Sequence, residues 1–327
     1  MKGRNMKDIA RQYTIFGILI VLIIVLGILS PNFLTMSNMI TIARQISMTA
    51  IMGVGLSIVL ISHNFDISIG SIMSFTTVFC ALLIVQKGFS PIPAILISMT
   101  VCVGFGLING IVVAKAGVPA LIVTLAMQQI VQGIAYILCK GLPIYGLPPG
   151  LKQISQGHVS IIPIPVIIMI VILALGSLFL RKTYLGRYVY AVGSNADAAK
   201  LSGINVNGIR IGAFALNAFL ACIAGVIMLG RVNSGQPTVG SGYDMDVLAG
   251  VVLGGISLNG GKGTIMGAFA GILIIGVLSN GLVILGIDEF VQLLVKGLVL
   301  LIAVIVDGIQ TKSAAKTGKP TMKSSKN

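Results

Sequence analysis

Charge is scarce in this sequence, and acid is scarcest. Only eight of 327 residues are Asp or Glu, and all charged residues together make up 9%, against about 25% in an ordinary soluble domain. Two histidines, His63 and His158, lie far apart, and four cysteines (Cys80, Cys102, Cys139, Cys222) stand singly in or beside apolar runs. No pair has metal-ligand or redox spacing, so neither a metal site nor a cofactor of its own is expected, and the cysteines read as small packing residues. A nucleophile elbow and a His-Glu-x-x-His run are missing too. Without a nucleophile–base or metal constellation the chain is expected to be no enzyme and to hold no catalytic residue. A phosphate-binding loop is also lacking. Its nearest approach, GISLNGGKGT at 255–264, sets Gly255 one position too far from Gly261 and Lys262 and follows an apolar segment rather than a strand. Energy for any work must come from a partner or an ion gradient.

What remains is apolar. Of the residues 56% are hydrophobic, and the mean hydropathy is +1.05. They come in uninterrupted runs, such as 14–30 and 161–180, without a single charge. Roughly 20 such residues span a hydrocarbon core as a helix, and a bilayer forces the backbone to satisfy itself. The alternating short segments of a β-barrel are not there. The expectation is an all-α polytopic membrane protein of about ten transmembrane helices, at 14–31, 46–62, 68–86, 92–114, 119–139, 162–180, 209–230, 245–259, 264–286 and 289–306. The eighth, short and glycine-rich, reads as a half-helix or re-entrant segment. The first follows Lys2, Arg4, Lys7 and Arg11 but has no small-residue cleavage site, so it reads as a retained helix that also targets the chain.

Alternating the sides from an inside N-terminus puts sixteen Lys and Arg inside and five outside, with Lys296 inside the last span. That asymmetry follows the positive-inside rule and predicts both termini in the cytoplasm. It also explains the net charge of +14 without nucleic acid. The domain plan is a basic N-terminus at 1–13, one transmembrane domain at 14–308 with a polar loop at 181–208, and a disordered lysine-rich tail at 309–327.

An ion-driven carrier would need ionisable groups at membrane depth. Asp66, in HNFDISIGS, and the pair Asp244 and Asp246 are the candidates, each readable as a helix N-cap or as part of a solute pathway. Phe65-Asp66 and Tyr243-Asp244 precede glycine-bearing spans on opposite sides, as an inverted repeat would. Three Gly-x-x-x-Gly pairs (Gly106/Gly110, Gly250/Gly254, Gly267/Gly271) suit close helix packing within the subunit, the last two alternatively a subunit seam.

The one sizeable polar interior stretch is RKTYLGRYVYAVGSNADAAKLSGINVNGIR, 181–210. Asn195 suits an N-cap with Asp197 in the first turn, and Gly203 suits a left-handed stop. This predicts a short helix over 196–202 with a small-residue face of Ala196, Ala199 and Gly203 that another protein could approach.

The arrangement G-R-Y-x-Y-A-x-G-x-N-x-x-A-A-x-x-S-G-I-N-V from Gly186 to Val206 resembles the coupling loop of permease subunits of ribose/xylose/galactose-type ATP-binding-cassette sugar importers. Asp66-Ile67-Ser68-Ile69-Gly70-Ser71 is similar to the family's D-L-S-V-G-S turn. The run from Gln236-Pro237 through Tyr243-Asp244 to Gly254-Gly255 and Gly260-Gly261-Lys262-Gly263 is similar to a second block. Asn64-Phe65 departs from a usual Gly-Ile pair, and Met245 and Asp246 vary the second block.

The resemblance implies a multi-pass permease of the bacterial cytoplasmic membrane, without enzymatic activity, that moves a ribose-like monosaccharide. Its partners would be a cytoplasmic ATP-binding subunit, which carries the ATP and Mg, an extracytoplasmic sugar-binding protein, a second permease copy or paralogue, and membrane lipid. Coupling is expected through Gly193, Asn195, Ala198, Ala199, Ser202 and Gly203. The pathway is expected along Asn64, Asp66, Ser68, Asn109, Gln128 and Asn280, each a polar group within or beside an apolar span. A nucleoside, a branched-chain amino acid or a furanosyl signal is the alternative solute. An ion-coupled secondary transporter is the alternative mechanism; it predicts uptake that collapses with the ion gradient and persists without ATP.

Overall fold

The computed structural model describes residues 6–317, and almost all of them are helical. Every one of the ten expected spans lies on a helix: α1 (Met6–Leu29), α2 (Met36–Ile61), α3 (Ile69–Val85), α4 (Pro91–Ala116), α5 (Ala120–Cys139), α7 (Ile164–Lys182), α10 (Val206–Val232), α11 (Tyr243–Leu253), α12 (Ile265–Ile284) and α13 (Glu289–Thr317). Six of these, α2, α4, α5, α7, α10 and α12, are long and apolar enough to cross a membrane. The ends differ from the sequence reading by more than three residues in four places. Helix α1 starts at Met6, inside the expected N-terminal segment 1–13, and α11 stops at Leu253, six residues short of the expected 259. Helix α2 starts ten residues early, because the Thr35 hydroxyl accepts from Asn38 N at 3.4 Å and caps it; Arg44, expected in a loop, therefore sits on the helix. Helix α13 runs to Thr317, past the expected tail boundary, and the rest of that tail lies outside the described residues.

Three short helices complete the fold: α6 (Pro149–Gln156) between α5 and α7, then α8 (Tyr184–Ser194) and α9 (Ala196–Leu201) between α7 and α10. The all-α expectation needs one small correction. Two-residue strands β1 (His158–Val159) and β2 (Ile162–Pro163) pair antiparallel beside α6; Pro163 then caps α7 and Pro165 falls in its first turn, where a missing N–H costs no helical bond.

Helix α10 is the axis of the bundle, packed against α2, α3 and α4, while α11 and α12 pack on each other and α1 and α13 lie at the rim. Glycine sets these approaches. A Cβ on Gly106 would meet Phe214 O at 2.6 Å and one on Gly110 would meet Ile211 Cα at 2.7 Å, so this pair seats α4 on α10. The other two Gly-x-x-x-Gly pairs face each other: a Cβ on Gly254 would lie 2.6 Å from Ala268 Cα, and one on Gly271 would lie 2.9 Å from Gly254 Cα. They are spent inside the subunit, which corrects the alternative that they form a seam between subunits.

Candidate functional site: a capped loop and a polar junction

The loop after α7 is built by local capping. Thr183 accepts from Gly186 N at 3.0 Å and starts α8. Asn195 ends α8 and starts α9, its side chain accepting from Ala198 N at 2.9 Å. Gly203 then turns the chain at φ +81° with open space around it, as the sequence predicted. The loop is braced on the bundle by Gly193 and Tyr190. A Cβ on Gly193 would strike Ile61 O at the end of α2 and lie 2.8 Å from Gly261 N. The Tyr190 hydroxyl donates to Gly263 O at 2.8 Å; burial pushes that phenol's pKa up, with the Arg181 guanidinium opposing.

The faces of α9 are not those expected. Ala199 is buried and Ala196 half-buried, because the small side is the one that lets α9 lie against its own chain. Gly193 is a packing position rather than part of an outer surface. Asp197, Ala198, Lys200, Leu201, Ser202 and Gly203 point outward, and Leu201 is 90% exposed. Leu201 carries no motif signal. A leucine inside a cationic polar loop, at the end of α9, could have drawn attention by its apolarity alone.

Deep in the bundle part of the expected pathway set gathers. Asp66 is 1% exposed. One carboxylate oxygen accepts from Ser68 N at 2.9 Å and Ser68 Oγ at 2.6 Å, and the other accepts from Asn217 Nδ2 at 2.9 Å. Asn109 Nδ2 donates to Ser68 Oγ at 3.2 Å. Three predicted residues thus form one network that ties the start of α3 to α4 and α10. Asn217 was missed, since a single Asn inside the apolar α10 names no partner. Asn64 sits apart, donating to Ser62 O and Ser62 Oγ at 3.0 Å each. Asn280 pairs with Asn38 through two 3.0 Å amide hydrogen bonds, away from that network.

The starts of α3 and α11 meet. A Cβ on Gly70 would lie 2.6 Å from Gly240 O and 3.4 Å from Asp244 Oδ1, and Gly240 N donates to Ser74 Oγ at 2.9 Å. The topology read from charge placed Asp66 and Asp244 on opposite sides, whereas the segments that carry them meet at one junction inside the bundle. Asp244 and Asp246 then diverge, about 200° apart around α11. Asp246 forms an ion pair with Lys296 Nζ of α13 at 2.7 Å, which gives the lysine inside the last span its partner. Asp244 accepts from Gln128 Nε2 at 3.4 Å. Beside that contact opens a cavity of ≈ 420 Å³ lined by Ser71, Gln128, Gln129, Gln132, Ser241 and Asp244. Of the six predicted pathway residues only Gln128 lines it. Among the described residues no group of three or more His, Cys, Asp or Glu could hold a metal ion.

Residues 38–304 match the family described as "Branched-chain amino acid transport system / permease component". The ribose import permease protein RbsC of Escherichia coli (strain K12) is 40% identical over 293 residues, 88% of this chain and 91% of that protein. Its counterpart in Bacillus subtilis (strain 168) is 38% identical over 291 residues, 88% and 90% of the two chains. The L-arabinose transport system permease protein AraH of Escherichia coli (strain K12) is 37% identical over 314 residues, 92% of each. No solved structure matches the chain. With its apolar helices, braced polar loop and internal polar junction, the chain belongs to this family of transport permeases and is a multi-pass protein of the cytoplasmic membrane.

Proposed function

We propose that this chain is the membrane-spanning subunit of an ATP-binding-cassette importer for a monosaccharide, a ribose-like pentose or its near kin. The family description speaks of branched-chain amino acids, but ribose and L-arabinose stand in the names of relatives that align over most of their length. The observation that carries the mechanism is α9, fixed at both ends by Asn195 and Gly203 and presenting Leu201 outward from a bundle to which α8 is tightly braced. A stiff lever with an apolar tip is what an ATP-driven partner needs, since a floppy loop would absorb its motion. The charge asymmetry supports ten spans with α9 and both termini in the cytoplasm. A partner ATPase would hold ATP and Mg and dock on α9, a second permease copy or paralogue would complete the pathway, and an external binding protein would deliver the sugar. Asp66, Ser68 and Asn109 serve in this reading as the lock that holds the start of α3 in the junction; Asn64 and Asn280 brace the ends of helices.

Co-purification of the detergent-solubilised chain with its ATPase tests this. Gly203→Trp would strain a left-handed turn, so the cleaner variant is Leu201→Asp, which changes only an exposed side chain. Wild type should bring down the ATPase and Leu201→Asp should not. Equal recovery with both would overturn the docking role.

A further inference from the structure

We propose that the cavity between α5 and the start of α11 is a hydroxyl-recognition subsite for the monosaccharide in transit, with Asp244, Gln128 and Gln132 as its contacting groups; this rests on the importer reading above. Its size of ≈ 420 Å³ falls within the roughly 300–1,000 Å³ of small-molecule sites. Its chemistry is unusual for an apolar helix. Gln128, Gln129 and Gln132 stand on one side of α5, where i and i+4 residues are neighbours, in a span whose only other polar side chains are Thr124 and Tyr136. An amide costs free energy when taken from water without partners; Gln128 and Gln132 are half-buried and Gln129 is exposed at the mouth.

The hydrogen bonds they make hold the site open rather than closing it. Gln132 Nε2 donates to Pro237 O at 2.6 Å, which fixes that amide at the wall. Gln128 Nε2 reaches Asp244 Oδ2 only at 3.4 Å, longer than the about 2.7–3.2 Å of a well-formed bond. A hydroxyl that donates to the carboxylate and accepts from the amide would replace that long contact with two short ones. Sugar hydroxyls are donors and acceptors at once, and the lining offers both kinds. It contains no Lys, Arg or His, so nothing there neutralises a carboxylate or phosphate, and Asp244 repels either. The site therefore suits a neutral polyol and disfavours an anion; the ammonium of an amino acid would meet Asp244, but its carboxylate would find no cation there. The larger cavity, of ≈ 510 Å³ on α7, is walled mainly by Met169, Leu173, Met266 and Phe269; its polar groups are Ser177, Arg181 and Lys182, with no carboxylate or amide to pair with a sugar hydroxyl as donor and acceptor together.

The test uses the full chain with its ATPase and binding protein in proteoliposomes, carrying Ser241→Cys as a reporter in the cavity wall. All four native cysteines are free and buried, so a small methanethiosulfonate reagent reads position 241. D-ribose at about four times its Kd should slow labelling about five-fold, since the free fraction of the site falls as 1 + [L]/Kd. Adding Asp244→Asn or Gln128→Leu should abolish that protection while position 241 still labels without sugar. A misfolded double variant would betray itself by labelling at the native cysteines, and the other variant then decides. The subsite is overturned if neither D-ribose nor L-arabinose protects position 241 in a complex that still imports D-ribose on ATP, or if that position does not react. A wild-type complex that hydrolyses ATP but imports neither sugar overturns the importer reading instead.

Discussion

Helices α2 and α7 are both apolar spans, yet they meet different surroundings. The most apolar window of α7 has a mean hydropathy of 2.5 and is 28% buried, whereas that of α2 reaches only 1.6 and is 89% buried. The oilier helix is the outer one. In water, hydropathy points to the core; in a bilayer the lipid is as apolar as leucine, so hydropathy points outward and close packing takes small and hydroxyl-bearing residues. Helix α2 shows this chemistry. A Cβ on Gly55 would lie 2.8 Å from Asn217 Cα, and Ser57 donates to its own helix at Gly53 O at 2.6 Å. Helix α7 presents Ile170, Val171, Leu175 and Leu178 to the outside.

Substitutions should widen or collapse this contrast. The largest effect is expected from Asp66→Leu, which leaves Ser68 N, Ser68 Oγ and Asn217 Nδ2 without their acceptor. At about 1–3 kcal/mol for each buried polar group left unpaired, the folded permease should be lost, read as disappearance of the monodisperse peak in detergent; a normal peak would refute the lock. Next comes Gly55→Leu, which forces α2 off α10 and should cost about 1–3 kcal/mol by overpacking, measured as a lowered unfolding temperature. Leu201→Asp should leave that temperature unchanged and weaken ATPase binding by about 2 kcal/mol, roughly thirty-fold in Kd, as for an interface anchor, by titration of the purified partner. The smallest change is expected from Leu175→Ala on the outer face of α7, within about 0.5 kcal/mol of wild type. A larger loss there would mean that another chain, not lipid, covers that face.

Much of the loop was legible because its determinants are local. Asn195 and Gly203 act on the residues three positions after and before them, so their roles can be read along the chain. The face of α9 was misread, since small residues equally well allow an external partner or the helix's own bundle to come close, and here Ala199 turned inward. The junction was half legible. Asp66, Ser68 and Asn109 stood out as polar groups in apolar surroundings, but their grouping, and the separation of Asn64 and Asn280 from it, depend on which helices touch. Asn217 was invisible for the same reason: its partner is 151 positions away.

The sequence by itself determined the class of solvent, the presence of a helix at each apolar run, and the caps that shape α8 and α9, because hydropathy and capping act over neighbouring residues. Tertiary structure alone decided that α2 and α10 are the interior helices, that two Gly-x-x-x-Gly pairs are spent on each other, and that the glutamines of α5 face Asp244 across a cavity. Those outcomes depend on which surfaces come together in space, and no local pattern specifies the partner of a buried glycine or amide.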